Sequence, residues 1–292
     1  MRVARRFDEA HSAADGRVAL IPTMGALHEG HLALVDTART ADPDPVMMSV
    51  FVNPIQFDDP ADLERYPRDL ERDAALAEAA GVGVLFAPSV EEMYPQDPVV
   101  RVSAGPLGEP MEGRRKGHFD GVATVVTKLF AGLQPSAAVF GRKDAQQVAV
   151  IRRLVADLSF PVRVLPAPTL REPDGLALSS RNAFLDDREM ALGLSRGLFA
   201  AADAIEGGLE DGLEAEMVVA EAIAHAGARL HYASLVDAAT LEPVDRVRDG
   251  TFLAVAAQVG KVRLIDNVHI DGGGAVDRGR LLTRPSTLTG GG

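Results

Sequence analysis

The chain has 292 residues, a formal net charge of −12 and no cysteine. This length accommodates one large or two ordinary domains, and the lack of cysteine excludes disulfides, thiolate metal sites and cysteine nucleophiles. The acidic balance argues against DNA or RNA as the main partner, because nucleic-acid binding needs a positive surface. No run approaches the roughly 20 apolar residues of a membrane span, and residues 1–14 lack the apolar core of a secretion signal. We therefore expect a cytoplasmic protein with no membrane partner.

Apolar runs alternate with helical patterns through about the first 170 residues. The predicted strands cover residues 17–22, 46–52, 82–87, 137–140 and 162–165. The predicted helices cover residues 30–39, 62–80, 122–133 and 145–158. This alternation predicts an α/β domain with a parallel sheet covered on both faces. Ligands of such sheets bind at the carboxyl ends of the strands.

The pattern changes near residue 170. A loop at 171–182 precedes predicted helices at 186–206 and 214–227 and predicted strands at 231–236, 252–259 and 262–265. These elements predict a smaller α+β domain over residues 171–270. Residues 271–292 are rich in Gly, Ser, Thr and Arg, and we expect them to form a disordered tail.

The segment PTMGALHEGH, residues 22–31, follows the first predicted strand and opens a helix. Backbone N–H groups at a helix start attract phosphate, and Gly25 and Gly30 allow a tight turn close to a ligand. His28 and His31 are three residues apart and share one face of the first helical turn. Two imidazoles placed there can donate hydrogen bonds to phosphate oxygens, so we interpret the segment as a functional site.

Two further strand ends carry polar side chains. Asn53 and Gln56 follow the second predicted strand, and their carboxamides suit ligand oxygens, although Asn-Pro is equally typical of a simple turn. The segment FGRKDAQQ, residues 140–147, offers Lys143 to a phosphate, Asp144 as a helix cap and Gln147 at the same rim. By itself that segment is more typical of a solvated turn.

Other polar segments are weaker. The loop LSSRN, residues 178–182, offers two hydroxyls and a guanidinium to a polyphosphate. The basic run at residues 112–119 is either a lid facing phosphate or a charged surface loop, and we favour the lid slightly. Five aspartates are candidate magnesium ligands, but we interpret them as a solvated face: Asp58, Asp59, Asp62, Asp69 and Asp73. No metal ligand is assigned.

Together these blocks resemble the pantothenate synthetase family, the pantoate–β-alanine ligases. The matching segments are IPTMGALHEGH, SVFVNPIQF, GHFDGVATVV, VFGRKDAQQ, PTLREPDGLALSSRN and, near the C-terminus, RLIDN. The resemblance implies a Rossmann-like nucleotidyltransferase domain over residues 1–170 that binds ATP and pantoate, and a lid domain over 171–270. It also implies Mg²⁺, a homodimer, and ligation of pantoate to β-alanine through a pantoyl-adenylate with release of AMP and pyrophosphate.

The resemblance also implies roles for individual residues. The implied catalytic residues are His28, His31, in the position of a proton donor, and Lys143. Gln56 and Gln147 match the pantoate-binding glutamines, and Gln56 also lies beside the β-alanine position. Asn53, at the same strand end as Gln56, is a further candidate for substrate binding. The implied ATP-binding residues are Met24, Gly25, Ala26, Leu27, His28, Glu29, Gly30, His31, Gly141, Arg142, Lys143, Asp144, Leu170, Leu178, Ser179, Ser180 and Arg181. Two positions depart from the family pattern, because Arg142 stands where Glu is common and Lys116 where Pro often occurs.

Two other classes of protein fit part of this pattern. One is another H-x-G-H nucleotidyltransferase, such as an aminoacyl-tRNA synthetase fragment or a cofactor adenylyltransferase. A synthetase would need a lysine-rich second signature and a basic RNA-binding domain, which LSSRN and the charge of −12 do not supply. The other is a non-catalytic nucleotide-binding regulator, for which loss of His31 or Lys143 would be expected.

Overall fold

The computed structural model describes residues 1–14, 16–113, 115 and 117–286. Two compact units divide the chain. The first comprises Met1–Gly141 and Gln146–Ala167, and the second comprises Arg142–Ala145 and the chain from Pro168 onward. Within the described residues, no helix combines the length and the apolar character that crossing a membrane requires.

The first unit contains a six-stranded parallel sheet. Its strands are β1 (Arg2–Ala4), β2 (Ala19–Thr23), β3 (Val46–Val50), β4 (Val84–Phe86), β5 (Ala137–Gly141) and β6 (Arg163–Ala167). Its helices are α1 (Phe7–Ser12), α2 (Glu29–Arg39), α3 (Pro60–Arg65), α4 (Leu70–Ala79), α5 (Val90–Met93), α6 (His118–Leu133) and α7 (Ala145–Asp157, whose first residue belongs to the second unit). Short 3-10 turns cover Pro54–Gln56 and Gly105–Gly108.

The strand order is β1-β4-β3-β2-β5-β6, and all five pairings are parallel. Successive residues of a strand point to opposite faces, so Leu20 and Met47 enter one apolar cluster and Ile21 and Met48 enter the other. This arrangement confirms the predicted α/β class. The chain steps outward from β2 through β3 to β4, and then continues on the other side of β2 with β5. The point where the order reverses, at the carboxyl ends of β2 and β5, is where such sheets bind ligands.

One predicted helix is wrong in its extent. The sequence predicted a single helix over residues 62–80, whereas the structure has α3 and α4 with a break between them. Tyr66 is extended because the residue before a proline, here Pro67, is pushed away from the helical region. Asp69 then caps α4 by accepting a hydrogen bond from the N–H of Arg72. Edge strand β1 was not predicted, since three residues are too few to show a period.

The second unit is an antiparallel sheet with two helices. Its strands are β7 (Leu170–Arg171), β8 (Arg229–Asp237), β9 (Thr251–Val259), β10 (Val262–Ile270), β11 (Val276–Asp277) and β12 (Arg280–Leu281). Its helices are α8 (Arg188–Glu206) and α9 (Gly212–His225), and 3-10 turns cover Arg142–Asp144 and Ser180–Phe184. The four-stranded sheet has the order β11-β10-β9-β8, and β12 pairs in parallel with β7. The two helices approach closely at Gly193, where a Cβ would lie 2.6 Å from the Cβ of Ala226.

The structure differs from the expected disordered tail over residues 271–286. Strands β11 and β12 lie in this segment, and Arg278 binds both Asp203 and Glu206 of α8. The segment is therefore held by ion pairs and backbone hydrogen bonds, which a prediction based on apolar content does not detect. Residues 287–292 lie outside the described part of the chain.

Candidate functional site

The loop between β2 and α2 is held by a buried carboxylate. Asp73 of α4 is 1% exposed, and its two oxygens accept hydrogen bonds from the N–H groups of Ala26 (2.9 Å) and Leu27 (2.7 Å). Gly25 adopts φ +83°, and a Cβ there would lie 2.8 Å from Asp73 Oδ2. The glycine is thus required by both its conformation and the close carboxylate. The interpretation of Asp73 as part of a solvated face is wrong.

The two predicted imidazoles lie side by side at the start of α2. His28 is the N-cap, and its Nδ1 accepts a hydrogen bond from the N–H of Gly30 at 3.1 Å. The ring centroids of His28 and His31 are 4.0 Å apart. Since Nδ1 of His28 is an acceptor here, the proton of the neutral ring resides on Nε2, which is the donor that a phosphate oxygen requires. Gly30 lies within the first helical turn, and its N–H supports His28.

Asn53 and Gln56 form a buried pair after β3. Asn53 is 1% exposed, and its Nδ2 donates to Gln56 Oε1 (3.0 Å) and to the carbonyl of Gly121 (3.1 Å). Its Oδ1 accepts a hydrogen bond from the hydroxyl of Tyr94 at 2.9 Å. Gln56 Nε2 in turn donates to Met24 Sδ at 3.0 Å. Both polar atoms of the Asn53 side chain are therefore engaged within the protein, which makes Asn53 a support for Gln56 in this structure.

Strand β5 ends at Gly141. Helix α7, which follows it, carries two glutamines with different surroundings. Gln146 is buried, and it accepts from the N–H of Glu112 and donates to the carbonyl of Leu107, both at 2.9 Å. The predicted residue Gln147 is only partly buried. Gln146 therefore anchors the segment 107–112, whereas the side chain of Gln147 is the more accessible of the two.

The basic run at 112–119 lies only partly within the described residues, since Arg114 and Lys116 fall outside them. Arg115 lies 3.9 Å from Asp58, and His118 Nδ1 lies 2.9 Å from the carbonyl oxygen of Gln56. His118 thus contacts the backbone of a residue that the sequence matched to pantoate.

In the second unit, Arg142, Lys143 and Asp144 form a 3-10 turn. Asn267 Nδ2 donates to the carbonyls of Arg142 (3.0 Å) and Lys143 (2.8 Å), so the strand RLIDN fixes the backbone of this turn. The Lys143 ammonium lies 3.9 Å from the carboxylate of Asp144.

The tail segment contacts the same turn. Arg142 donates to Asp271 at 2.9 Å and to Asp277 at 2.7 Å. Arg142, one of the two positions at which this chain departs from the family pattern, is therefore paired with two aspartates of the segment 271–286.

The remaining predicted ATP contacts are Leu170, next to a buried ion pair of Arg171, and the segment Leu178–Arg181. Leu170 and Leu178 are buried and joined by a backbone hydrogen bond of 2.9 Å. Ser179 caps the 3-10 turn that begins with the exposed residues Ser180 and Arg181. Arg171, which is 0% exposed, binds Asp266 through both guanidinium nitrogens at 2.6 and 3.0 Å. The sequence did not predict this ion pair, although Arg171 and Asp266 each lie in a segment that resembles the family.

Within the described residues, no three His, Asp or Glu side chains converge into a group suited to a metal ion. Asp73, one of the candidate magnesium ligands, is instead occupied by two backbone N–H groups. Mg²⁺ bound with ATP is usually held by phosphate and water oxygens with one or two carboxylates, so it does not need such a cage.

Comparison with known proteins identifies the family. The family model described as pantoate-beta-alanine ligase matches residues 2–269. A pantothenate synthetase of Acidothermus cellulolyticus is 50% identical over 278 residues, which cover 91% of this chain and 90% of the relative. The crystal structure of pantothenate synthetase from Thermus thermophilus has a TM-score of 0.86 and 47% identity, covering 93% of this chain and all of that one.

A second solved structure carries ligands. Pantoate-beta-alanine ligase from Francisella tularensis, complexed with beta-gamma ATP and beta-alanine, has a TM-score of 0.70 and 33% identity. It covers 91% of this chain and 97% of its own length. With a family model spanning nearly the whole chain and relatives at about half identity, the protein is an enzyme of the pantoate-beta-alanine ligase family.

Proposed function

We propose that this protein ligates pantoate to β-alanine with ATP, through a pantoyl-adenylate, and releases AMP and pyrophosphate. The observation that carries the proposal is the pair of imidazoles at the start of α2, 4.0 Å apart, in a chain of this family. The ligands named for the Francisella tularensis relative, an ATP compound and β-alanine, support the choice of substrates.

In the first step, a carboxylate oxygen of pantoate attacks the α-phosphorus of ATP. A C–O–P linkage forms, the bond to the β,γ-diphosphate breaks, and pyrophosphate leaves. Charge gathers on the phosphate oxygens, so donors already in place lower the barrier. We assign this role to His28 Nε2–H, to His31 and to Lys143. The N–H groups that begin α2 add partial positive charge.

In the second step, the amine of β-alanine attacks the activated carbonyl carbon. The C–N bond forms, the C–O bond to the phosphate breaks, the nitrogen loses a proton, and AMP leaves. A free carboxylate resists this attack because its carbonyl is electron-rich, whereas AMP is a good leaving group. For the first step, the protein must hold the carboxylate of the acid in line with the α-phosphorus. We assign that task to Gln56 and Gln147, with Asn53 supporting Gln56.

The remaining assignments complete the proposal. The residues that we assign to contacts with ATP are Met24–His31, Gly141–Asp144, Leu170 and Leu178–Arg181. Mg²⁺ neutralises part of the charge of the triphosphate when bound, and no residue is assigned to hold it. A homodimer, a cytoplasmic location and closure of residues 171–270 as a lid remain predictions of the sequence.

Pyrophosphate release in the presence of ATP and pantoate, with and without β-alanine, tests the chemistry. We expect a stoichiometric burst without β-alanine and continuous turnover with it. A complete requirement for β-alanine before any pyrophosphate appears would contradict the adenylate.

Two variants test the assigned residues. His31→Ala should lower the adenylation rate by about 10² or more while the protein stays folded. Gln147→Ala should weaken pantoate binding far more than ATP binding. Near-normal turnover of the first, or equal losses of both ligands in the second, would remove the residue from its role.

A further inference from the structure

A buried chain of hydrogen bonds reaches Gln56 from a tyrosine that no motif includes. Tyr94 directly follows α5 and is 8% exposed. Its hydroxyl donates to Asn53 Oδ1, and Asn53 Nδ2 donates to Gln56 Oε1. The Tyr94 ring packs against Phe51 with centroids 6.0 Å apart, and the ammonium of Lys128 lies 5.8 Å from its centroid. The hydroxyl is thus held at a fixed position at one end of the chain.

The direction of every bond in this chain is determined by one carbonyl group. The Gly121 carbonyl can only accept, so the Asn53 carboxamide must turn its NH₂ toward it. Asn53 Oδ1 then faces Tyr94, whose hydroxyl must donate. The second hydrogen of the Asn53 NH₂ faces Gln56 and requires an oxygen there.

Gln56 is therefore left with only one orientation of its carboxamide. With Oε1 bound to Asn53, its NH₂ is presented on the opposite side, next to Met24 Sδ. Gly121 makes this packing tight, because a Cβ on it would lie 2.6 Å from Gln56 Cα. Burial raises the pKa of the Tyr94 phenol, so the hydroxyl keeps its proton throughout the neutral range.

We propose that Tyr94 is a positioning residue that, through Asn53, orients Gln56 so that its NH₂ donates to an oxygen of the acid substrate. The inference rests on the proposed function, in which Gln56 binds pantoate. Pantoate's carboxylate and hydroxyl oxygens accept hydrogen bonds, so the orientation that presents donors is the productive one. Without the Tyr94 donor, the Oδ1 of Asn53 is left unpaired in a buried position, and the Asn53 carboxamide loses one of the bonds that hold it in this orientation. The Gly121 carbonyl alone then opposes its rotation, so Gln56 is held less firmly.

The decisive variant is Tyr94→Phe, which keeps the ring and removes only the hydroxyl. We expect the pantoate Kd, measured by calorimetry with pantoate itself, to rise about tenfold, the equivalent of one buried hydrogen bond. The Kd of ATP should change by less than about twofold. Thr124→Val is the matched control, because Thr124 is also buried and its hydroxyl bonds to the backbone of Val102. It should leave the pantoate Kd unchanged.

A double-mutant cycle separates positioning from a general structural effect. If Tyr94 acts through Gln56, then Tyr94→Phe should have no further effect on the pantoate Kd in the Gln56→Ala background. An equal effect in both backgrounds, or an equal weakening of ATP and pantoate, would overturn the proposal.

The side-chain amide resonances of Gln56 in a ¹⁵N spectrum provide a readout that needs no substrate. Tyr94→Phe should shift them, and unchanged resonances would also overturn the positioning role. An unaltered pantoate Kd in Gln56→Ala alone, accompanied by shifted resonances in Tyr94→Phe, would instead refute the proposed role of Gln56 in binding. The two failures are thereby distinguished.

Discussion

Removing the Asp73 carboxylate is the sharpest test of how the β2–α2 loop is held. The side chain is 1% exposed and accepts two backbone hydrogen bonds, from Ala26 and Leu27. A hydrogen bond to a charged group contributes about 1.5–3 kcal/mol, so Asp73→Ala, which leaves one buried and one partly buried donor unpaired, should cost about 3–6 kcal/mol. At about 2–4 °C per kcal/mol, the melting temperature should fall by roughly 10 °C.

Asparagine at this position should not rescue the loop. Ala26 and Leu27 donate to different oxygens of Asp73, and the NH₂ of asparagine would replace one of these oxygens and face an N–H group. Asp73→Asn should therefore lose most of what Asp73→Ala loses. Glu71→Gln is the matched control, since Glu71 lies in the same first turn of α4 but is exposed. Its melting temperature should stay within about 1–2 °C of the native value.

Thermal unfolding by calorimetry and titration with ATP measure the two consequences separately. The loop that Asp73 holds begins the proposed ATP-binding segment, so both Asp73 variants should also bind ATP at least about tenfold more weakly. Asp73→Asn with native stability, or losses no larger than those of Glu71→Gln, would refute the role of the two-acceptor carboxylate.

Three smaller perturbations test other parts of the structure. Gly25→Ala, at φ +83° and 2.8 Å from Asp73 Oδ2, should lower the unfolding free energy by about 2 kcal/mol in denaturant titrations. Burial, assisted by the charge of Arg142, lowers the pKa of His269 from 6.5 to about 4. Between pH 6.5 and pH 4 the unfolded chain therefore binds a proton at His269 that the folded chain does not bind. The free energy of unfolding should fall by up to about 3 kcal/mol as the pH falls through this range, and His269→Phe should flatten that decline. Asp277→Asn, which removes one partner of Arg142 at 2.7 Å, should lower the melting temperature slightly at low salt and not at high salt.

Most strands of the sheet could be predicted from the sequence because they are runs of mainly apolar residues, and the motifs follow the ends of β2, β3 and β5. The prediction of one helix over residues 62–80 was wrong because it followed the helical pattern on both sides of Pro67. The local effect of that proline, which makes Tyr66 extended, interrupts the helix. The interpretation of Asp73 was wrong for a different reason. Its partners are backbone N–H groups 46 and 47 residues away, and a backbone group does not depend on which amino acid carries it. One signal was present, since Asp73 lies four residues before the buried Ala77 and so occupies the buried face of α4.

Tyr94 and Arg171 could not be predicted because their partners are also distant in the sequence. Tyr94 binds a side chain 41 residues away, and Arg171 binds one 95 residues away, so neither pairing creates a spacing pattern. The histidines could be predicted because their relationship is local: three residues in one helical turn set their separation. Sequence thus indicates which groups meet a ligand more readily than which groups hold them in place.

Two loops that carry proposed substrate contacts, and the segment 107–112, share one feature, which is a buried polar side chain bound to their main chain. Asp73 binds the backbone of Ala26 and Leu27, and Gln146 binds that of Leu107 and Glu112. Asn267 binds the carbonyls of Arg142 and Lys143.

These anchors contact the backbone, so they tolerate changes in the side chains of the loop but not in themselves. A buried backbone donor or acceptor without a partner costs about 1–3 kcal/mol, which is enough to favour an alternative loop conformation without disturbing the apolar clusters of the sheet. It follows that substitutions at the anchors should impair ligand binding as well as stability. Substitutions of the strand residues Leu20 and Met47 should impair stability alone, because their loss removes only packing.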